Sequence, residues 1–177
     1  ILSKIKELGL NIKYILGTHA HPDHIAGVDE LRKKLNAIYL IHKLDEEFFS
    51  DPSNLIEFRM MGFSENPKAD KVFEEGDKII FGKEELQIIH TPGHSPGSSC
   101  FYSPKNKIIF TGDTLFVEAV GRADLPGGNF FQMMESIKNK LLTLPEDTLI
   151  YPGHDYGPKP VSTIGEEKVN NPFLQEI

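Results

Sequence analysis

A chain of 177 residues, 39% hydrophobic and 25% charged, is long enough for one substantial core and carries no compositional sign of disorder. Its formal net charge of −7, with Lys and Glu interspersed, argues against a nucleic-acid backbone as partner, which clustered Lys and Arg would serve. No apolar run approaches the roughly 20 residues that cross a bilayer, and the single cysteine, Cys100, cannot form an internal disulfide, so a cytoplasmic location without a signal peptide is expected. In chain order, ILSKIKELGL reads as a helix stopped at Gly9, NIKYILG as a buried strand, and the stretch from about Asp23 to Leu35 as an amphipathic helix. The strand AIYLI and a polar, helical region to about Phe63 follow. KVFEEGDKIIF, ELQIIHT, SSCFYS and KIIFTGD then read as short antiparallel strands with tight turns. A helix from about Phe130 to Leu142, a strand DTLIY, and a last helix opened by Thr163 with Glu166 at capping-box spacing complete an α/β order of sheet covered by helices.

Four of the strands end in a small-residue turn that delivers a His or Asp. YILGTH delivers His19, IIHTPGH delivers His94, IIFTGD delivers Asp113 and LIYPGH delivers His154. Strand ends are where a sheet fold brings distant segments together on a rigid support. The stretch THAHPDHIAG adds His21, Asp23 and His24. Pro22 disfavours an α conformation at His21 and fits the first turn of a helix, so His19 and His21 point to one side of an extended segment while Asp23 and His24 sit at a helix N-terminus. Two pairs of ligands result, each in need of partners from elsewhere. Five histidines and two aspartates give three ligands per ion plus one carboxylate, Asp113, able to bridge. Such open coordination belongs to a catalytic site, and imidazole with carboxylate suits zinc, iron and manganese alike. His42 and His90 fall outside the set and are read as structural.

With these residues in place, the sequence resembles the metallo-β-lactamase-fold hydrolases. HxHxDH at 19 to 24, the histidine of TPGHSPGS, the aspartate of TGDTLF and the histidine of YPGHDYG come in that family's order. GDTLFVEAVGRADLPGGN and STIGEEKVNNPF look like its small glyoxalase II-like branch, while IYPGHDYG and VSTIGEE also resemble persulfide dioxygenases. The resemblance implies an αββα sandwich with the site at one edge, formed as a single domain over residues 1 to 177 and short of the strands that members place before the first helix. It also implies two divalent ions, zinc first. His19, His21 and His94 would hold one ion, Asp23, His24 and His154 the other, and Asp113 would bridge them. The glutathione-gripping C-terminal helices of glyoxalase II do not carry over.

The implied chemistry is hydrolytic, with a hydroxide held by the ions attacking a carbonyl carbon and Asp23 and Asp113 orienting it. A thioester is a natural small-molecule substrate, because a thiolate leaves with little help from an acid. Arg122 and Tyr156 are candidate substrate contacts, each with a bland counterpart in a surface ion pair or a loop-steadying bond. Cys100 reads as a buried, inert thiol, and Phe116, Phe130 and Phe131 as pocket or core. Two alternatives stand beside the hydrolase. One is a persulfide dioxygenase with His19, His94 and Asp113 on a single iron; the other is an inactive metal-binding module.

Overall fold

Alternation along the strands decides which layer each side chain enters. The computed structural model describes residues 1–60 and 66–175, so Phe63, at the end of the expected polar helical region, lies outside the described residues. A short helix α1 (Leu2–Glu7) leads into β1 (Tyr14–Leu16). Next come α2 (Pro22–Ile25), α3 (Val28–Leu35) and β2 (Ile38–His42), which pairs parallel to β1. The single helix expected from Asp23 to Leu35 is therefore two. The break falls at Ala26 and Gly27, where a residue of poor helix propensity caps α3 instead of continuing α2. The chain continues through α4 (Lys43–Ser50), a 3₁₀ turn (Pro52–Leu55) and α5 (Ile56–Met60).

The strand β3 (Lys71–Phe73) corrects a second expectation, because it pairs parallel to β2 and so completes the first sheet, in the order β1-β2-β3, instead of joining the antiparallel run. The second sheet holds β4 (Lys78–Phe81), β5 (Glu84–His90), β6 (Ser99–Ser103) and β7 (Ile108–Gly112), antiparallel in sequence as expected. A hairpin of β8 (Leu115–Phe116) and β9 (Ala119–Val120) and the helix α6 (Phe130–Ser136), continued by a π turn (Ile137–Leu141), follow. The strand β10 (Leu149–Pro152) lies parallel to β7, β11 (Ser162–Thr163) closes that edge, and α7 (Ile164–Asn170) opens with the capping box of Thr163 and Glu166.

Three apolar clusters glue these layers. On β2, Tyr39 and Ile41 face Ile25, Val28, Phe49 and Phe58 of the outer helices, whereas Leu40 faces inward to Ile79, Leu86, Ile88 and Phe101 of the second sheet. On β6 the parity repeats: Phe101 faces the first sheet, and Cys100 and Tyr102 face Met133, Ile137, Leu141 and Ile164 of the helices beneath. Period two on both sheets thus yields helix, sheet, sheet, helix, an αββα sandwich. Each fully buried Ile, Leu or Phe contributes roughly 1.5–3 kcal/mol. Cys100 is 0% exposed, and burial pushes its thiol up to about 12, which fits an inert core residue.

Candidate metal centre

Every residue of the expected ligand set reaches one edge of the sandwich. His19 and His21 follow β1 on an extended segment, and His21 keeps φ −69° and ψ 143° ahead of Pro22, which opens α2. Asp23 and His24 lie on that short helix, His94 follows β5, Asp113 follows β7 and His154 follows β10. The parallel pairing of β7 with β10 brings Asp113 and His154 to the same end. Close approach there needs Gly153: a Cβ at this position would lie 2.3 Å from Asp113 Oδ1.

The side chains converge as two triads. His94 Nε2 lies 3.2 Å from His19 Nε2 and 2.9 Å from His21 Nδ1. His24 Nε2 and His154 Nε2 are 3.0 Å apart, and Asp23 Oδ2 stands 3.5 Å from each. Asp113 sits between the triads, with Oδ1 3.4 Å from His24 Nε2 and Oδ2 3.3 Å from His154 and 3.7 Å from His94.

These contacts fit divalent ions better than hydrogen bonds. His94 Nδ1 lies 2.6 Å from the Arg122 carbonyl oxygen, which can only accept, so this nitrogen carries the proton and Nε2 presents a bare lone pair to the triad. Two nitrogens bound tetrahedrally at about 2.0–2.1 Å from one ion would stand about 3.3–3.4 Å apart, near the observed spacings. Asp113 Oδ1 is buried, and its contact with His24 Nε2, at 3.4 Å, is long and weak for a hydrogen bond. Electrostatics agree. Burial, reinforced by the neighbouring imidazoles, holds His19 well below its ordinary range and His21 down to about 3. Burial likewise lowers His94. Burial would also lower His24, but the hydrogen bond and charge of Asp113, with the charge of Asp23, raise it. Asp113 is pushed up by burial and pulled lower on balance by His24, His94 and His154. Neutral imidazoles at His19, His21 and His94 beside an ionised Asp113 make a ligand set ready for a cation.

A cavity of about 440 Å³ opens over the triads, walled by Phe58, Phe116, Val120 and Leu125 and bordered by Arg122 and Tyr156. The Arg122 guanidinium makes a bidentate pair with Asp124, at 2.7 and 2.8 Å. The Tyr156 ring stacks on His154, with centroids 4.7 Å apart and planes 5° from parallel. Phe130 and Phe131 stay outside this cavity, the second of them 83% exposed. His42 and His90 stack on each other away from the triads, centroids 4.0 Å apart, and His42 caps α4 by accepting from the Leu44 N–H. Sequence reasoning missed Phe58, whose helix gave no sign of facing the site, and Asp45, which reads in KLDEEFF as one more acid on a solvated helix face.

Residues 1–154 match the Metallo-beta-lactamase superfamily, and the chain belongs to that family of metal-dependent enzymes. Proteins of this fold bind divalent metal ions, and the His and Asp cluster described above is able to hold them. The chain is 39% identical over 171 residues to the probable metallo-hydrolase YqgX of Bacillus subtilis, covering 96% of this chain and 79% of that protein. It is 38% identical over 170 residues to the mitochondrial persulfide dioxygenase ETHE1 of Homo sapiens, covering 96% of this chain but only 59% of the relative. Identity to the hydroxyacylglutathione hydrolase GloC of Haemophilus influenzae is 34% over 176 residues, covering 98% and 81%. Among solved structures, the BLEG-1 B3 metallo-beta-lactamase superposes with a TM-score of 0.88 at 36% identity, over 98% of this chain and 82% of its own. TTHA1623, crystallised in a di-iron-bound form, superposes with a TM-score of 0.81 at 39% identity, over 98% and 83%. No helix among the described residues is long and apolar enough to cross a membrane.

Proposed function

We propose that this chain is a cytoplasmic hydrolase of thioesters that works with two divalent ions. The observation that carries the reading is Asp113 standing between two triads, an arrangement suited to two ions held side by side, which can serve the attacking water and the carbonyl oxygen of a hydrolysis without any redox change. Bound divalent ions, zinc first, supply a water of lowered pKa and a polarised carbonyl oxygen. His19, His21 and His94 would hold one, Asp23, His24 and His154 the other, and Asp113, placed between the triads, would serve both. The side chain of Asp23, 55% exposed at the cavity, orients the attacking water and takes up its proton. Phe58, Phe116 and Leu125 take the acyl group and keep bulk water from it. The thiolate departs without an acid, and no Ser or Cys nucleophile faces the cavity among its described lining. Arg122 contacts a substrate carboxylate by exchanging its Asp124 partner, and Tyr156 offers its hydroxyl at the rim.

An iron-dependent persulfide dioxygenase is the second reading. His19, His94 and Asp113 alone make a two-histidine, one-carboxylate set suited to a single iron, and the human persulfide dioxygenase is as similar in sequence as the hydrolases are. Loading the protein separately with zinc and with iron, then offering an acyl thioester under anaerobic conditions or glutathione persulfide in air, divides the two. The hydrolase reading expects thiol release from the thioester by the zinc form without oxygen. Oxygen uptake with the persulfide, confined to the iron form and without thiol release from any thioester, would overturn it.

A further inference from the structure

Asp45 is a 0% exposed carboxylate in the first turn of α4 that the chemistry above does not use. Its Oδ2 accepts from the backbone N–H of Ala20 at 2.8 Å and from the Ser95 hydroxyl at 2.9 Å, and its Oδ1 accepts from the backbone N–H of Gly97. Ala20 is the residue between His19 and His21, and Ser95 follows His94, so one carboxylate ties together both loops that carry the first triad. The Ala20 peptide is held from its other side as well, by Asn66 Nδ2 donating to its carbonyl at 3.1 Å. The turn after His94 closes on the same network, with the Ser95 N–H donating to Ser98 Oγ at 2.9 Å.

Two features separate this arrangement from ordinary packing. A buried carboxylate is costly, and among the described residues the compensation for Asp45 is three neutral donors, two of them adjacent in sequence to a proposed ligand and the third, Gly97, in the turn that follows His94. Gly97 is shaped to it as well: a Cβ there would lie 2.6 Å from the Asp45 backbone nitrogen and 2.8 Å from its Cβ. We propose that Asp45 is the positioning residue of the first metal triad, fixing the distance between the His19–His21 segment and His94. The proposal rests on those three histidines being ligands. Asn cannot replace Asp, because an amide offers one acceptor oxygen and turns an N–H toward one of three donors.

The test compares Asp45→Asn with Glu167→Gln, a second buried carboxylate, which accepts from the Glu118 N–H and Asn171 Nδ2 away from the triads. Zinc affinity is read by competition with a chromophoric chelator, the cobalt-substituted spectrum reports ligand geometry, and the metal-free unfolding temperature reports stability. Asp45→Asn should weaken one ion about 10–100-fold, shift the cobalt bands and leave the second ion in place, while Glu167→Gln, whose amide oxygen can keep both bonds made by Oε2, should leave zinc affinity and the cobalt bands unchanged. Ser95→Ala, which removes one donor, should give a smaller effect of the same kind and serves if Asp45→Asn fails to fold. Unchanged affinity and spectrum in the Asp45 variant, or in Ser95→Ala if it alone folds, or zinc loss that merely follows stability in both carboxylate variants, overturns the proposal. A wild-type protein that binds no zinc overturns the ligand assignment and the proposal with it.

Discussion

His21 turns Nδ1 toward His94 and packs its ring against Phe49 and Phe58, with centroids 5.7 and 5.3 Å away, so the nitrogen that serves the site is chosen by which side of the ring is walled in aromatics. The same burial sets the protonation. In the metal-free protein His21 is lowered to about 3 and His42 to about 4 by burial first and by a neighbouring imidazole next, and His19, His90 and His94 are lowered too. Each binds its proton near pH 6.5 only when unfolded. The unfolded state therefore holds more protons below that pH, and stability falls as pH drops. Asp45, pushed up to about 6 by burial, works the other way between 6 and 3.8, because there the native form holds the proton. His24, raised on balance, also gains a proton first in the native form. Five histidines outweigh these two groups. Scanning calorimetry of metal-free protein should show the unfolding temperature falling from pH 7 to pH 5, and a flat or rising profile would contradict the buried, neutral state of the imidazoles.

At the scale of elements, the site is a set of strand ends whose turns must come close. Replacing Gly153 by Ala puts a methyl 2.3 Å from Asp113 Oδ1, a contact that only displacement of the carboxylate or of the turn can relieve. Gly153→Ala should therefore lower metal occupancy with little change in far-ultraviolet circular dichroism. Full metal retention in that variant would mean that the β7 and β10 turns are less tightly set than described. These strand ends were legible because each one pairs an apolar run with a Gly turn and a ligand residue, and because Pro22 fixes the conformation of His21 in advance. The partner of β3 was not legible. Three residues, KVF, carry a strand signal but no sign of which sheet they join, and β2 receives them through backbone pairing that reads no side chain. Helix α4 hid Asp45 for a related reason, since the periodicity of KLDEEFF shows that one face is polar but not that one acid on it reaches across to another loop.

For the whole molecule, the sandwich brings loops from both sheets to one rim, and the proposed ligands, which follow β1, β5, β7 and β10, depend on the two sheets keeping their relative position. The inward clusters on Leu40, Ile88 and Phe101 secure that. The αββα architecture was legible through the family resemblance, the order of elements alone giving a sheet covered by helices, whereas the bidentate Arg122–Asp124 pair and the stacking of Tyr156 on His154 depend on loop paths that no sequence pattern encodes. The central claim is that two ions sit side by side and share Asp113. Zinc titration of metal-free protein, followed by elemental analysis after gel filtration, tests it most directly. The wild type should retain about two ions per chain, as two triads with open positions require, and Asp113→Asn should weaken both. One ion per chain in the wild type, or an Asp113→Asn protein that still holds both at wild-type affinity, would contradict the shared dinuclear centre.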